Sequence, residues 1–157
     1  MPVRSAGILL WRRAGGDLEV LIAHMGGPYW AGKDAAAWSI PKGEYAEDEQ
    51  PLAAALREFT EELGLAVPVQ TEQLVPLGEL RQPSGKRLTV WAGEADLDVA
   101  AIRPGAFTMP WPRGSATLVE FPEVDGAEWC SVEIARDRLT KGQRPFLDRL
   151  VEMLDKN

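Results

Sequence analysis

Two apolar runs open the chain, Ile8 to Trp11 and Leu18 to His24, and Arg12-Arg13-Ala14-Gly15-Gly16-Asp17 separates them. They read as the strands of a hairpin across a Gly-Gly-Asp turn. Met25 to Asp34 breaks the pattern with glycines and aromatic residues and reads as a loop, and long loops are often functional. Trp38-Ser39-Ile40 has the look of a short strand stopped by Pro41. From Pro51 to Leu63 the apolar period becomes helical, with Gly64 as the stop residue. Leu74 to Leu80 and Arg87 to Ala92 carry strand patterns around Pro83-Ser84-Gly85, and Arg103 to Arg113 is a proline-punctuated excursion. Val119 to Phe121 and Glu128 to Ser131 are further short strands. Val132 to Leu139 and Pro145 to Leu154 are closing helices, the second with Phe146, Leu147, Leu150, Val151 and Leu154 as its apolar positions. This mixed order predicts an α/β or α+β sandwich.

Within the Pro51 to Leu63 helix, Leu52, Leu56, Phe59 and Leu63 form one stripe at 100° per residue, expected to face the core. Glu58, Glu61 and Glu62 fall on a nearly opposite arc, with Ala54 one turn earlier on the same face leaving room for a ligand. Like charges one turn apart destabilise an isolated helix by roughly 0.2 to 0.5 kcal/mol a pair. A hard divalent cation such as Mg²⁺ reverses that penalty, because it takes oxygen ligands and bridges carboxylates to substrate phosphates. On charge pattern alone, a solvated acidic face explains the three glutamates as well.

Spacing decides between these readings. Gly43, Glu49, Arg57, Glu58, Phe59, Glu61, Glu62, Gly64 and Leu65 fit G-x5-E-x7-R-E-U-x-E-E-x-G-U at every defined position, U being a bulky apolar residue. This segment resembles the box of the Nudix (MutT-like) hydrolase superfamily. The Trp38-Ser39-Ile40-Pro41-Lys42-Gly43 lead-in, the preceding hairpin and the later Glu123 to Trp129 stretch are similar to the order of that family over most of the chain. Gly26-Gly27-Pro28-Tyr29-Trp30 and Trp111-Pro112 to Phe121-Pro122-Glu123 resemble a bacterial branch of nucleotide pyrophosphohydrolases. The resemblance implies an α/β/α sandwich with a mixed sheet, and Mg²⁺-dependent (or Mn²⁺-dependent) hydrolysis of a nucleoside diphosphate linked to another moiety, such as a nucleoside triphosphate or dinucleoside polyphosphate.

Carried over residue by residue, the metal ligands fall on Glu58, Glu61, Glu62 and the backbone carbonyl of Gly43. Arg57, one turn before Glu61, is placed to brace a glutamate into ligating geometry. Glu49 near the helix start suits the helix dipole first and the metal site second. Gly43 and Gly64 also have structural readings, a tight turn and a helix stop. Family members differ over whether a box or a loop glutamate takes the proton of the attacking water, so Glu61, Glu58 and Glu123 are ranked in that order, with Glu120 competing for the loop role. Lys42 is a candidate phosphate contact, and Trp30 and Trp111 are candidate base-stacking residues in specificity loops, whereas Trp38 reads as core. The lead-in also resembles that of dinucleoside polyphosphate hydrolases, although Glu44 stands where those often carry His. His24 reads as a strand end.

Length and composition narrow the class further. With 157 residues, 45% hydrophobic and 26% charged, the chain reads as a single domain over 1–157 with its own core. Its net charge of −7 (17 − 24) argues against a direct grip on nucleic acid and for cation-mediated binding of a small nucleotide. Its partner is then a small molecule, with no membrane and with a homodimer left open. The run Gly7 to Trp11 is too short for a signal-peptide core and ends in Arg12-Arg13, which together with the single Cys130 points to a reducing cytoplasm. Two rival functions remain. One is a nucleotide-binding regulatory module without turnover, for which a damaged box would be the mark. The other is an isoprenoid diphosphate isomerase, which uses an active-site cysteine; Cys130 beside Trp129 reads instead as a buried small hydrophobe.

Overall fold

A computed structural model describes residues 3–156; Met1, Pro2 and Asn157 lie outside the described residues. The strands are β1 (Arg4–Ala14), β2 (Asp17–Met25), β3 (Trp38–Ser39), β4 (Lys42–Tyr45), β5 (Val75–Arg81), β6 (Arg87–Glu94), β7 (Ala106–Pro110), β8 (Leu118–Pro122) and β9 (Val124–Ser131). The α-helices are α1 (Pro51–Leu63), α2 (Val132–Arg138) and α3 (Arg144–Asp155).

Seven strands form one mixed sheet in the order β3-β2-β1-β6-β5, with β4 added to β1 and β9 added to β2. Only β1 and β6 run parallel in it. Side chains alternate through the central strands: Ala6, Ile8, Leu10, Leu21 and Ala23 join the cluster under α1, and Leu9, Val20 and Ile22 join the cluster under α2 and α3. Burial on both faces explains why these segments read as nearly continuous apolar runs instead of alternating ones. Helices on both faces complete the α/β/α sandwich. Gln143 ties the α3 side to the sheet: its Oε1 accepts from the Ile40 amide at 2.8 Å and its Nε2 donates to Ser39 Oγ at 3.0 Å.

Two strands escaped the sequence pattern. Lys42–Tyr45 has no apolar alternation, and its ladder with β1, pairing Gly43 with Ala6, makes it β4. Gly43 is therefore a strand residue and not the tight turn expected. Ala106–Pro110 lies inside the proline-punctuated excursion and pairs with β8 in a separate two-stranded hairpin.

The expected faces of α1 also need correction. Phe59 and Leu63 are fully buried, as are Ala54 and Ala55, whereas Leu52 and Leu56 are only partly buried against the same cluster. Ala54 thus packs into the core instead of making room for a ligand. At 100° per residue Glu62 sits roughly 90° from the centre of the stripe formed by Leu52, Leu56, Phe59 and Leu63, so it borders the core, and of the three glutamates Glu61 comes nearest to the opposite side. Phe59→Ala should cost about 3 to 5 kcal/mol, and Leu56→Ala clearly less. Denaturant midpoints check this, and equal losses would place Leu56 in the core.

Candidate active site

The site is built where α1 crosses β4. A Cβ at Gly43 would fall within the Glu58 carboxylate, so it is glycine here that lets that carboxylate rest against the strand. Close packing against the strand leaves the Glu58 side chain 15% exposed, while that of Glu61, one turn nearer solvent, is 53% exposed. Gly64, at φ 72°, ends α1 in the left-handed conformation and returns its amide to the Thr60 carbonyl at 2.7 Å.

Arg57 organises the carboxylates. Its Nε and one terminal nitrogen grip both oxygens of Glu49 at 2.8 Å each. The other terminal nitrogen donates to Glu58 Oε1 at 2.8 Å and to Glu61 Oε2 at 3.1 Å, leaving the second oxygen of each glutamate unengaged by it. The Glu49 hydrogen bonds, above all, hold Arg57 firmly protonated, and in turn Arg57 pulls the Glu49 carboxyl below its ordinary range. Glu58 goes the other way, because burial against the strand outweighs the same guanidinium. Burial pushes the Glu62 carboxyl up to about 8; Lys42 opposes that shift, and the charges of Glu123 and Glu58 add to it.

Glu123 joins this group from the junction of β8 and β9. Its amide donates to the Gly105 carbonyl at 2.8 Å and its carbonyl accepts from the Gly26 amide at 3.0 Å. Residues 103–105 are strapped to the end of α1, since Arg103 N donates to Leu63 O at 2.7 Å and Gly105 N to Glu61 O at 3.1 Å. A Cβ on Gly105 would lie 3.5 Å from the Glu123 carboxyl carbon. Desolvation, and then the charges of Glu58 and Glu61, push that carboxyl up. Glu120 stands apart, exposed in β8 opposite Thr108.

Four carboxylates from two segments thus meet around the end of α1. Among the described residues no three acidic, histidine or cysteine side chains already form a ready metal cage; Arg57 instead holds one oxygen each of Glu58 and Glu61. The donors are all hard oxygens, and Gly43 leaves its backbone open beside Glu58. Such a set fits Mg²⁺ or Mn²⁺.

Trp30 and Trp111 line different cavities. Trp30 lines one of about 420 Å³ with Lys42, Lys86, Lys141 and Gln143. Trp111 lines another of about 490 Å³ with Tyr29, Met109 and Arg113 near the tip of the β7–β8 hairpin. The loop between β2 and β3 links the two, because Tyr29 and Trp30 meet edge to face at 5.0 Å. Lys86, Lys141 and Gln143 carried no signal in the sequence, since only the fold brings those segments beside Lys42.

Cys130 lies on the other face of the sheet, 6% exposed in the cluster under α2 and α3, and burial pushes its thiol up to about 11. A reactive cysteine at the carboxylate site is not what it offers. No described helix is long and apolar enough to cross a membrane.

A family model described as the NUDIX domain matches residues 1–150. No curated protein matches the chain in sequence. Among solved structures, the Ap4A hydrolase of C. elegans in a binary complex superposes with a TM-score of 0.65 at 20% identity, over 99% of both chains. The NUDIX domain of Shewanella oneidensis NrtR, complexed with ADP ribose, gives a TM-score of 0.66 at 15% identity, over 98% of this chain and 89% of that one. The MutT protein from Methanosarcina mazei Go1 gives 0.60 at 19% identity, over 99% and 97%. At these identities the likeness is one of fold.

Proposed function

The chain belongs to the Nudix family of pyrophosphohydrolases, and from that premise we propose that it is a Mg²⁺-dependent hydrolase cutting a phosphoanhydride bond in a nucleoside diphosphate-linked small molecule. The observation that carries this reading is the meeting of Glu58, Glu61 and Glu62 with Glu123 beside Gly43. One structural neighbour is an Ap4A hydrolase and another is complexed with ADP ribose, and both molecules contain an adenosine diphosphate unit linked to a further group, which supports the same substrate class. Residues 1–157 act as one domain in the cytoplasm, without nucleic acid or membrane, and a homodimer is compatible with the reading.

Glu58, Glu61, Glu62 and the Gly43 carbonyl would hold the ion, with Mn²⁺ as a substitute. When bound, Mg²⁺ neutralises the phosphate oxygens, lowers the pKa of a water and aligns attacking and leaving groups. Arg57 keeps Glu58 and Glu61 oriented by one oxygen of each. Lys42 offers a point charge to a phosphate at the rim of the Trp30 cavity. Trp30 and Trp111 offer ring faces for a base. The proton of the attacking water passes to a carboxylate, Glu61 or Glu58 of the helix or Glu123 of the junction.

The decisive experiment is a nucleotide panel incubated with Mg²⁺ and resolved by chromatography. Hydrolysis of a phosphoanhydride is expected, and tight nucleotide binding with no product from any member would favour the regulatory module instead. On the best substrate, Glu123→Gln should lower kcat more than it raises KM, whereas Glu120→Gln should leave both unchanged. The reverse pattern would move the role to Glu120.

A further inference from the structure

The loop carrying Tyr29 and Trp30 is fastened at its far end by the only histidine of the chain. His24 lies next to the end of β2, with its side chain 11% exposed. Its Nδ1 is 2.8 Å from Asp125 Oδ1 and its Nε2 is 2.6 Å from the Lys33 carbonyl oxygen. An ionised carboxylate and a carbonyl only accept. A neutral imidazole has one N–H and one lone pair, so it satisfies one of these contacts and opposes a lone pair to the other. The imidazolium donates to both.

Asp125 reaches the ring because of a bulge. The β2–β9 ladder pairs His24 with Gly126 and Met25 with Val124, which leaves Asp125 as the extra residue, and an extra residue re-aims its side chain. The ring edge meets Trp38 at 5.1 Å, Trp38 Nε1 donates to Asp34 Oδ1 at 3.1 Å, and the Arg138 guanidinium lies 4.7 Å over Trp38. Arg138 is also 3.3 Å from both Asp34 and Glu128. The charged groups around the ring are therefore Asp125 and Glu128 of β9, Asp34 of the loop and Arg138 of α2. The Lys33 ammonium turns away, 4.1 Å over Tyr29 and 5.8 Å from Trp30.

We propose that His24 is a positioning residue for the aromatic loop: as an imidazolium it clamps the Lys33 carbonyl to the Asp125 bulge and so fixes Tyr29 and Trp30 at their two cavities. Deprotonation leaves one contact facing a lone pair, and the loop loosens. Its kinetic arm rests on the hydrolase reading; its structural arm does not.

The structural arm is an NMR titration of the free protein. As pH rises through the His24 ring titration, the Trp30 indole and the Lys33 and Asp34 amide signals should shift with the same midpoint. Fixed signals across that titration would overturn the proposal whether or not any nucleotide is hydrolysed, and moving signals in a protein that hydrolyses nothing would support the clamp while the hydrolase reading fails. In the kinetic arm, KM for the best nucleotide of the panel should rise several-fold through the same midpoint with kcat unchanged. His24→Phe keeps a ring against Trp38 but has no donor, so KM should be raised and flat over that window, which separates the imidazole from the site carboxylates. A wild-type KM profile in His24→Phe would overturn the proposal. If that variant does not fold, Asp125→Asn keeps an acceptor but removes the carboxylate that faces the imidazolium, and should raise KM and shift the Lys33 and Asp34 amide signals; wild-type KM with unshifted amides would again overturn it.

Discussion

Glu61→Gln and Glu62→Gln should each lower turnover by at least about a hundredfold while the protein melts no earlier than the wild type. The two glutamates sit in opposite surroundings, so the shared loss would come from chemistry and not from packing. Glu61 is exposed and shares Arg57 with Glu58. Its amide variant keeps the shape and removes a charge that its neighbours repel. Glu62 is the harder case for the fold, because it borders the core and burial opposes its charged form. A neutral amide is easier to bury there than a carboxylate, so the melting temperature should hold or rise. Both amides are poorer ligands than carboxylates for a hard cation. Turnover with Mg²⁺ and thermal melts without it separate the two effects. Wild-type turnover in either variant would remove that residue from the metal assignment.

Gly43→Ala is expected to cost activity, at least about tenfold, far more than stability. Gly43 lies in a strand and is not among the glycines with positive φ, so alanine suits its backbone. The added Cβ meets only the end of the Glu58 side chain, which can swing aside, and the metal site would lose that carboxylate. Gly7→Ala is the contrasting variant. Its Cβ would lie 2.7 Å from the Pro41 carbonyl oxygen and 2.8 Å from Lys42 Cβ, so backbone must move and the melting temperature should fall. Wild-type turnover in Gly43→Ala would show that Glu58 need not rest against the strand.

Gly64 and Gly43 show what the sequence alone can and cannot specify. Gly64 was legible as a helix stop because the reason is local: the apolar period ends and a left-handed residue is needed. The reason for Gly43 is a side chain on the next element, so local chemistry pointed to a turn. The same division runs through the fold. β1, β2 and α1 declare themselves by apolar period, and β4 and β7 do not, because a ladder partner distant in sequence makes them strands. In the helix, the box spacing picked out the carboxylates, but apolar period alone gave no sign that Ala54, on the Glu61 side, is buried or that Glu62 borders the core, because that burial comes from the strands α1 crosses and not from the helix itself. Glu120 and Glu123 were nearly equivalent on paper. The hydrogen bonds of Glu123 to Gly105 and Gly26 set them apart, and neither glycine stands near it in sequence.

The lone thiol of Cys130 gives this protein a reporter of its own opening. It pairs with Val20 across the β2–β9 ladder and is buried against the α2 and α3 cluster. Alkylation needs a thiolate that reagent can reach, and burial denies both. Labelling under native conditions therefore waits for α2 and α3 to lift from the sheet, and its rate measures the free energy of that opening. A nucleotide bound to the folded state should slow labelling in proportion to its occupancy, so affinity can be read from a cysteine on the far side of the sheet.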